Sequence, residues 1–358
     1  MTTEDDGQKW RRVARDLIAA LRPLEESLPQ QGPPGVAIAE AVHRARRACG
    51  LWGLHAPREV GGLGLSWRQC AVVQEEWHRS LLGLWSYQLF SAGEFPPGVG
   101  GLGSDVVEAC VRGERRVHQL QVPEGSLTFQ MGPDGKMMVD GVCPGVPAWK
   151  ATDLLIVAQG DAGVVCTLGL AGYAVVNRRG TMGSAELVDL VFQGCRVGPD
   201  GVLEGIGDAL ARWQAMQRLQ LAAGAVGAAE YCLERALEHL RGRVTFGKPL
   251  ADRQAMQWLV ADSARELHAS RLLVHRAALQ ADAGGDPTHA ALVAKVVATD
   301  AACAIVDRVI QMYGGYGYCR DLPFEHFWRE LRLYRFLEGN NEELAGLATS
   351  DVLARLDR

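Results

Sequence analysis

A carboxylate in an apolar setting is the sequence feature best suited to proton abstraction. Glu338 follows the run LYRFL and precedes the turn GNN. Apolar surroundings can tune the pKa of a carboxylate so that it serves as a general base near neutral pH. A glutamate at a turn that enters a helix is, however, more commonly a solvated residue that stabilises the helix N-terminus. The residues alone therefore leave a catalytic and a structural interpretation open.

Two further segments contain residue types that suit an anionic ligand. The first, RGRVTFGKPL over 241–250, carries Arg243, and the planar guanidinium of an arginine can donate two hydrogen bonds to a diphosphate. The second, GGYGY over 314–318, has glycines that allow backbone to approach a ligand closely. The structural alternatives are a connection between two helices for the first segment and a helix C-cap for the second.

Composition narrows the class of protein. The 358 residues carry a net charge of −5, which gives no reason to expect nucleic acid as a partner. The nine cysteines include no CxxC pair and no Cys/His cluster at metal spacing, so we expect no metal site and reduced thiols.

The N-terminus MTTEDDGQKW lacks the apolar region of a secretory signal. The longest uncharged apolar stretch, 219–229, is too short to span a bilayer, so we expect a cytoplasmic protein without a membrane partner.

Periodicity predicts the order helices, then strands, then helices. Residues 8–50 have helical spacing of apolar residues, interrupted by QQGPPG. From about residue 115, short runs typical of strands alternate with Gly, Pro and Asp turns, and no strand alternates with a long helix, which argues against a Rossmann sheet. Long helical patterns return over 208–241, 250–282, 287–312 and 341–356, as in a four-helix bundle.

Three segments resemble the acyl-CoA dehydrogenase family. Residues 53–77, GLHAPREVGGLGLSWRQCAVVQEEW, are similar to the family's G…P…GGLG turn and the helix after it. Residues 241–271 resemble its R-x-x-FGKPL…Q…LAD segment nearly residue for residue. Residues 311–344 resemble its Q-x-x-GGxGY…P-x-E-x-x-x-R-D-x-R…EGT-x-E segment. The resemblance covers essentially the whole chain and is most specific in the C-terminal half.

The resemblance implies a fold, a cofactor and a reaction. The fold would be mainly α with a β domain: an N-terminal helical domain (1–113), a middle β-barrel-like domain (114–204) and a C-terminal four-helix bundle (205–358). Family members bind FAD, and they remove an α-proton and a β-hydride from an acyl thioester. The substrate would be an acyl-CoA or an acyl-carrier-protein thioester. The electrons would pass to an electron-transfer flavoprotein or to oxygen.

The resemblance also assigns roles to individual residues. Glu338 occupies the position of the family's base in EGT-x-E, and Asn340 and Glu342 occupy the other two positions of that motif, at the cofactor site. Some relatives place the base on the first bundle helix. The matching residue here is Gln217, whose amide cannot abstract a proton.

A second group of residues matches the family's inter-subunit cofactor site, in which one chain reaches the FAD of its neighbour. These residues are Arg243, Thr245, Phe246, Gln311, Gly314 and Gly315. The match implies a homodimer or a homotetramer, because a second chain completes each flavin site.

The middle segment departs from the family pattern. Where the family has TEP-x-x-GSD, this chain has HQLQVPEGSLTFQ, in which Ser126 remains and Gln121 replaces the threonine. We expect both residues to contact FAD. The tryptophan and threonine of the family's W-x-T-N strand are Gly145 and Pro147 here, and Trp149 is a candidate replacement for the lost aromatic ring.

Three interpretations follow from these departures. The chain binds FAD through altered contacts and oxidises an acyl thioester. Alternatively, it binds FAD poorly and serves as a half-site subunit in a hetero-oligomer with a homologous chain, or it uses the old pocket for another reaction. A flavin-dependent monooxygenase on the same fold is the third interpretation, and the intact Glu338 argues against it, because that chemistry does not need an α-proton base.

Overall fold

The computed structural model describes residues 3–29, 36–90, 104–112, 114–115, 117–148, 154–159, 162–166 and 170–356. The α-helices in these residues are α1 Thr3–Glu25, α2 Val36–Cys49, α3 Trp67–Trp77, α4 Leu81–Phe90, α5 Ser104–Val111, α6 Gly207–Gly242, α7 Gln254–Asp282, α8 Thr288–Tyr313, α9 Phe324–Tyr334 and α10 Asn341–Leu356. The strands are β1 Val117–Gln121, β2 Leu127–Met131, β3 Met137–Pro147, β4 Leu154–Gln159, β5 Ala162–Cys166, β6 Tyr173–Gly180, β7 Glu186–Val197, β8 Val202–Glu204, β9 Val244–Thr245 and β10 Lys248–Pro249.

Contacts divide the chain into two compact units. The helical unit comprises Met1–Leu28, Ser66–Ser86 and Gln214–Arg358. The β-containing unit comprises Pro29–Leu65 and Tyr87–Trp213. The division into three domains, with boundaries at 113 and 204, stays a prediction.

Glycines bring α3 and α6 together in the helical unit. A Cβ atom on Gly227 of α6 would lie 1.8 Å from the carbonyl oxygen of Glu75 in α3, and one on Gly224 would lie 2.6 Å from the ring of His78. No side chain fits at either distance. The small residues of the LAAGAVGAA segment therefore allow close packing of two helices.

The first turn of α3 is fixed by two sets of hydrogen bonds. Ser66 and Gln69 form a capping box, in which each side chain accepts a hydrogen bond from the backbone N–H of the other. The carboxylate of Asp282, at the end of α7, accepts hydrogen bonds from the N–H groups of Trp67 (2.7 Å) and Arg68 (3.1 Å). These bonds satisfy N–H groups that a helix start leaves without an internal partner.

Two four-stranded sheets form the centre of the β-containing unit. One has the strand order β2-β3-β7-β6 and is antiparallel. The other has the order β1-β4-β5-β8, and only its β1–β4 pair is parallel. Side chains of both sheets share one core that includes Leu155, Val157, Leu190 and Phe192. The opposite face of β4, with Leu154 and Ile156, packs in a second cluster with Cys110 of α5 and with Trp213. Strand β4 is thus covered on both faces, which explains its unbroken apolar sequence.

The observed elements confirm the predicted fold class: helices, a β region and a C-terminal set of long helices. The expected barrel-like closure is corrected, because the described strands form two open sheets instead of a closed barrel. The predicted helix over 8–50 is two helices, α1 and α2. The pattern analysis did not predict β2 or α9 as separate elements.

Helix α8 and the turn after it meet the length and hydropathy criteria of a membrane span. Residues Thr288–Tyr318 have a window of mean hydropathy 1.6, half of which is buried inside the protein. A core helix of a soluble protein meets the same criteria, so the helix is weak evidence for a span. The search for uncharged stretches overlooked this segment because it contains Lys295 and Asp300.

Candidate active site

The turn between α9 and α10 carries the candidate base. Glu338 has a φ of 55° and Gly339 a φ of 103°, so both residues lie in the left-handed region. A glycine adopts this conformation readily, whereas a glutamate adopts it at an energetic cost. A Cβ atom on residue 339 would also lie 2.9 Å from Leu344 Cδ2. The backbone at Glu338 is therefore strained, and other contacts must hold it.

Two buried cations from different helices supply those contacts. Arg218 of α6 donates a hydrogen bond from Nε to the carbonyl oxygen of Glu338 at 2.9 Å. Lys295 of α8 donates from Nζ to the carbonyl oxygens of Gly339 at 2.6 Å and of Arg335 at 3.1 Å. The exposed fraction is 7% for Arg218 and 0% for Lys295. Both carbonyls of the Glu338–Gly339 pair are thus bonded by a buried cation.

Asn341 extends this arrangement into a network. Its Oδ1 accepts a hydrogen bond from Lys295 Nζ at 2.7 Å. Its Nδ2 donates to Thr299 Oγ1 at 2.9 Å and to Asp300 Oδ1 at 2.7 Å. Asp300 also forms an ion pair with Arg335, at 2.5 Å. The network connects one face of α8 to the turn at both of its ends.

Charges around the turn are coupled to Glu338. Burial lowers the pKa of Lys295 to about 7, the nearby Arg218 acts in the same direction, and Glu338 and Asp300 oppose the shift. Burial also lowers the pKa of Arg218, and Glu338 opposes that shift. The half-buried Glu338 carboxylate is therefore attracted to two cations that have little contact with water.

Asn340 and Glu342, the other candidates in this motif, have structural contacts within the chain. Asn340 Oδ1 accepts a hydrogen bond from the N–H of Glu343 at 3.0 Å, which makes Asn340 the N-cap of α10. The exposed Glu342 accepts a hydrogen bond from Arg335 Nη2 at 2.9 Å. A contact of either residue with a cofactor stays a prediction.

The candidates for the inter-subunit site include a hairpin formed by β9 and β10. Phe246 lies at its tip with a φ of 48° and 98% of its surface exposed. The guanidinium of Arg253 donates hydrogen bonds to the carbonyl oxygens of Thr245 and Phe246, which holds the hairpin on the start of α7. Arg243 is exposed, and among the described residues its guanidinium has no hydrogen-bond or ion-pair partner.

The structure brings this hairpin and the glycine-rich segment to the same ends of α6 and α8. The rings of His239 in α6 and Tyr313 in α8 stack with centroids 4.1 Å apart. The N–H of Arg243 donates to the carbonyl oxygen of His239 at 2.8 Å. Gly314 and Gly315 follow Tyr313 directly, and a Cβ atom on either glycine would meet nothing within 4 Å. The space beside both glycines is thus open, although the N–H of Gly314 donates to the carbonyl oxygen of Gln311. Gln311 itself is exposed.

Glu338 is not among the residues gathered there. The residue that holds its turn, Lys295, lies 16 positions before Gln311 on α8, which corresponds to about 24 Å along the helix axis at about 1.5 Å per residue. The phosphate-binding candidates and the candidate base therefore lie toward opposite ends of α8 in one chain.

The middle-segment candidates lie in the β-containing unit. Gln121 ends β1 and is exposed, and Ser126 lies in the turn before β2. Gly145 (φ 68°) lies at an irregularity of the β3–β7 register, and its N–H donates to Asp189 Oδ1 at 2.9 Å. The pKa of Asp189 lies below its usual value, mainly because of the hydrogen bond from Asn177 and next because of the one from Gly145. Trp149 lies outside the described residues.

Sequence reasoning missed the two residues that contact the turn most closely. The motifs described above assign no role to these residues, Arg218 and Lys295. The signal for Lys295 was available: it is a lone lysine in the apolar segment ALVAKVVAT. Gln217, next to Arg218, is 3% exposed.

Among the described residues, no group of three or more His, Cys, Asp and Glu is suited to bind a metal ion.

Comparisons with known proteins identify similar sequences and structures. The profile "Acyl-CoA dehydrogenase, C-terminal domain" matches residues 204–351. The (R)-benzylsuccinyl-CoA dehydrogenase of Thauera aromatica is 27% identical over 93% of this chain and 91% of that protein. The acryloyl-CoA reductase (NADH) of Anaerotignum propionicum is 32% identical over 55% of this chain and 51% of that protein. The butyryl-CoA dehydrogenase structure from Megasphaera elsdenii has a TM-score of 0.83 and 23% identity, and the match covers 99% of both chains, which shows the shared fold.

At higher sequence identity, the matched regions are shorter. The chain spans about half the length of the curated relatives it matches first, for example 51% of one and 58% of another. The family profile and the nearly full-length match at 27% identity nevertheless agree with the fold and with the three segments quoted above. Residues 204–351 are therefore similar to the C-terminal domain of acyl-CoA dehydrogenases, and the chain shares the fold of the butyryl-CoA dehydrogenase structure.

Proposed function

We propose that this protein catalyses the FAD-dependent α,β-dehydrogenation of an acyl thioester, with Glu338 as the base that takes the α-proton. One observation carries the proposal: the residue at the family's base position lies on a strained turn whose two carbonyls are bonded by buried cations. Strain that is held by such contacts is typical of functional sites. Similarity to this family supplies the class of reaction.

The residues around Glu338 suit proton abstraction. Arg218 and Lys295, both close enough to Glu338 to interact with its charge, fix the turn from which its carboxylate projects. Both cations donate to backbone carbonyls of the turn. FAD, when bound, would supply the acceptor for the β-hydride.

The far ends of α6 and α8 fit the phosphates of FAD. Arg243 offers an exposed guanidinium that has no partner among the described residues. The space beside Gly314 and Gly315 is open, and Gln311 lies within the same segment. Guanidinium and backbone N–H groups are the donors that diphosphates commonly accept in proteins.

A second chain would complete each site. The phosphate-binding candidates lie about 24 Å along α8 from the residue that holds the Glu338 turn, so the two groups fit one FAD best when they come from different chains. Large apolar side chains near the phosphate-binding candidates are exposed in the single chain: Val244 56%, Phe246 98%, Trp258 62%, Tyr316 62% and Tyr318 87%. Exposed apolar side chains of this size, where they lie together, are typical of a protein–protein interface. We propose a homodimer or a homotetramer in the cytoplasm.

The middle segment favours a second candidate function, a half-site subunit that binds FAD poorly and assembles with a homologous chain. Gly145 presents no side chain where the family has a flavin-packing residue, and its N–H is already bonded to Asp189. Gln121 is exposed and able to donate to a flavin, which supports the enzyme instead.

The substrate would be an acyl thioester of CoA or of an acyl carrier protein. The electron acceptor would be an electron-transfer flavoprotein or oxygen. The test compares thioesters of both carriers.

The test is the absorbance spectrum of the purified protein, followed by mass analysis of the released cofactor. We expect flavin bands, FAD as the released compound, and loss of the flavin absorbance on anaerobic addition of butyryl or isobutyryl thioesters of CoA or of carrier protein. A colourless protein that gains flavin only with a homologous chain would support the half-site subunit. Product hydroxylation that requires oxygen would support the monooxygenase and contradict the dehydrogenase.

A further inference from the structure

Lys295 is the feature of this chain that a purely structural account explains least. It lies within the apolar segment of α8 and is fully buried. Burial of an ammonium group is costly unless hydrogen bonds and charges compensate it. A methionine or a leucine at this position would fill the same space in a helix without that cost.

The ammonium group of Lys295 has three hydrogen-bond acceptors. Nζ has three N–H donors, and it lies within 3.1 Å of three acceptors: Gly339 O, Asn341 Oδ1 and Arg335 O. None of the three is a carboxylate, so the group is not half of a simple buried ion pair. All three belong to the seven-residue turn 335–341 that carries Glu338.

The hydrogen bond to Gly339 lies at the strained part of the turn. Glu338 and Gly339 both have positive φ, and the peptide group between them determines the direction in which the Glu338 side chain leaves the backbone. Arg218 fixes the carbonyl on one side, that of Glu338, and Lys295 fixes the next one, that of Gly339. Removal of either bond allows the turn to relax toward conformations that a glutamate prefers.

We propose that Lys295 is a positioning residue, which holds the Glu338–Gly339 turn in its left-handed conformation and thereby fixes the catalytic carboxylate. The proposal rests on the proposed function, because it assigns Lys295 a role in the reaction of Glu338. It assigns Lys295 no contact with the substrate.

The test compares Lys295→Met and Lys295→Gln with a control, Ser270→Ala. The methionine removes all donors, whereas the glutamine keeps an amide donor. Ser270 of α7 is also buried, but its hydroxyl donates to the carbonyl oxygen of Glu266 in its own helix and is not part of the network around Glu338. For each variant, the kcat and KM with butyryl-CoA and with butyryl carrier protein are measured per bound FAD. The rate of α-proton exchange in deuterated water and the Tm are measured in parallel.

We expect the kcat and the exchange rate of Lys295→Met to fall at least about tenfold, since misplacement of a catalytic group by as little as about 1 Å has a large effect on rate. The KM and the FAD content should change little, Lys295→Gln should be intermediate, and Ser270→Ala should keep nearly the wild-type kcat. Wild-type kcat per bound FAD in a folded Lys295 variant would overturn the inference. Failure of both variants to fold would also overturn it, because Lys295 would then be a structural residue.

The wild-type protein separates this inference from the proposed function. A wild type that neither oxidises the two thioesters nor exchanges their α-protons contradicts the proposed function itself, and the role of Lys295 in that reaction falls with it. An active wild type with fully active Lys295 variants contradicts the inference alone.

Discussion

Lys295 Nζ lies 2.6 Å from the carbonyl oxygen of Gly339, a residue 44 positions later in the chain. This single bond connects the interior of α8 to the turn that carries Glu338. Together with the bond from Arg218 to Glu338 at 2.9 Å, it places two buried cations on consecutive carbonyls. A site of this kind depends on three separate parts of the sequence, which explains why the motif around Glu338 does not reveal it.

The first prediction concerns the second chain in each site. In a twofold symmetric pair, Glu338 of one chain and Arg243 of the other would form one site. A pair made from one Glu338→Gln chain and one Arg243→Gln chain has one site with both residues intact. We therefore expect the mixed pair, purified through two different affinity tags, to have about half the wild-type activity, although each variant alone has little.

One outcome would contradict this arrangement. No recovery of activity in the mixed pair would mean that both residues serve the same chain's flavin. The matched control is Arg241→Gln, an exposed arginine two positions earlier. It should bind FAD like the wild type, whereas Arg243→Gln should bind FAD about 10-fold to 100-fold more weakly, because hydrogen bonds to charged groups contribute about 1.5–3 kcal/mol.

The second prediction concerns the close contact of α3 and α6. Gly227→Ala would place a Cβ atom 1.8 Å from the carbonyl oxygen of Glu75. Because neither helix backbone can move without repacking of its neighbours, we expect a loss of about 3 kcal/mol in the free energy of unfolding. Gly346→Ala is the control, since a Cβ atom there meets nothing within 4 Å. In the interior of α10 it should gain about 0.5–1 kcal/mol, and equal effects in urea unfolding would contradict the packing.

The third prediction concerns a buried carboxylate that connects α3 to α1. The side chain of Glu76 is 4% exposed and accepts hydrogen bonds from Arg15 Nε and Arg11 Nε, both at 2.9 Å. Burial raises the pKa of Glu76, but the bonds from Arg15 and Arg11 outweigh it, and the pKa lies below 4.5. A carboxylate with a lowered pKa stabilises the folded state above the unfolded pKa, and this contribution is lost as pH falls through the folded pKa.

Glu76→Gln should therefore lower the free energy of unfolding by about 2 kcal/mol at pH 7, and the difference should shrink below pH 4.5. The measurement is Tm against pH at a fixed protein concentration. Glu114→Gln is the control, because its ion pair with Arg112 is exposed and should contribute nothing measurable. A difference that grows on acidification would contradict the assignment.

The fourth prediction concerns the titration of Lys295. Burial lowers its pKa from 10.5 to about 7, and the charged groups that face it are Arg218 of α6, Asp300 of α8, and Arg335 and Glu338 of the turn. Between these two values, the unfolded chain binds more protons at this residue than the folded chain does. The free energy of unfolding of the wild type should therefore rise with pH in that window, by up to about 1.4 kcal/mol per pH unit relative to Lys295→Met. A difference that stays constant from pH 7 to pH 10 would contradict the shift.

The long helices were predictable because their apolar periodicity is uninterrupted. The predicted helix over 341–356 has the observed bounds of α10, and the one over 287–312 differs from α8 by one residue at each end. Strand β2 was not predicted, although its residues LTFQM alternate between apolar and polar types and Leu127 is buried. The two-helix nature of 8–50 was indicated by QQGPPG, whose prolines and glycines do not continue a helix.

The candidate site was also only partly predictable from the sequence. The motifs identify Glu338, Arg243 and the glycine pair, because each lies in a contiguous segment with a specific sequence. They do not reveal that the Glu338 carbonyl is bonded to Arg218, because this contact joins residues 120 positions apart. Long-range polar contacts depend on packing, and no local pattern encodes them. A lone lysine in an apolar helix was the one available indication of the network.

The most direct test of the central claim is Glu338→Gln, measured by stopped-flow reduction of the bound flavin with a butyryl thioester under anaerobic conditions. The glutamine keeps the volume and polarity of the side chain but cannot accept the α-proton. The account predicts a protein that still binds FAD and the thioester, with the reduction rate and the α-proton exchange rate lowered by about 100-fold to 10,000-fold. Reduction and exchange at the wild-type rates would contradict the account and would remove Glu338 from the reaction.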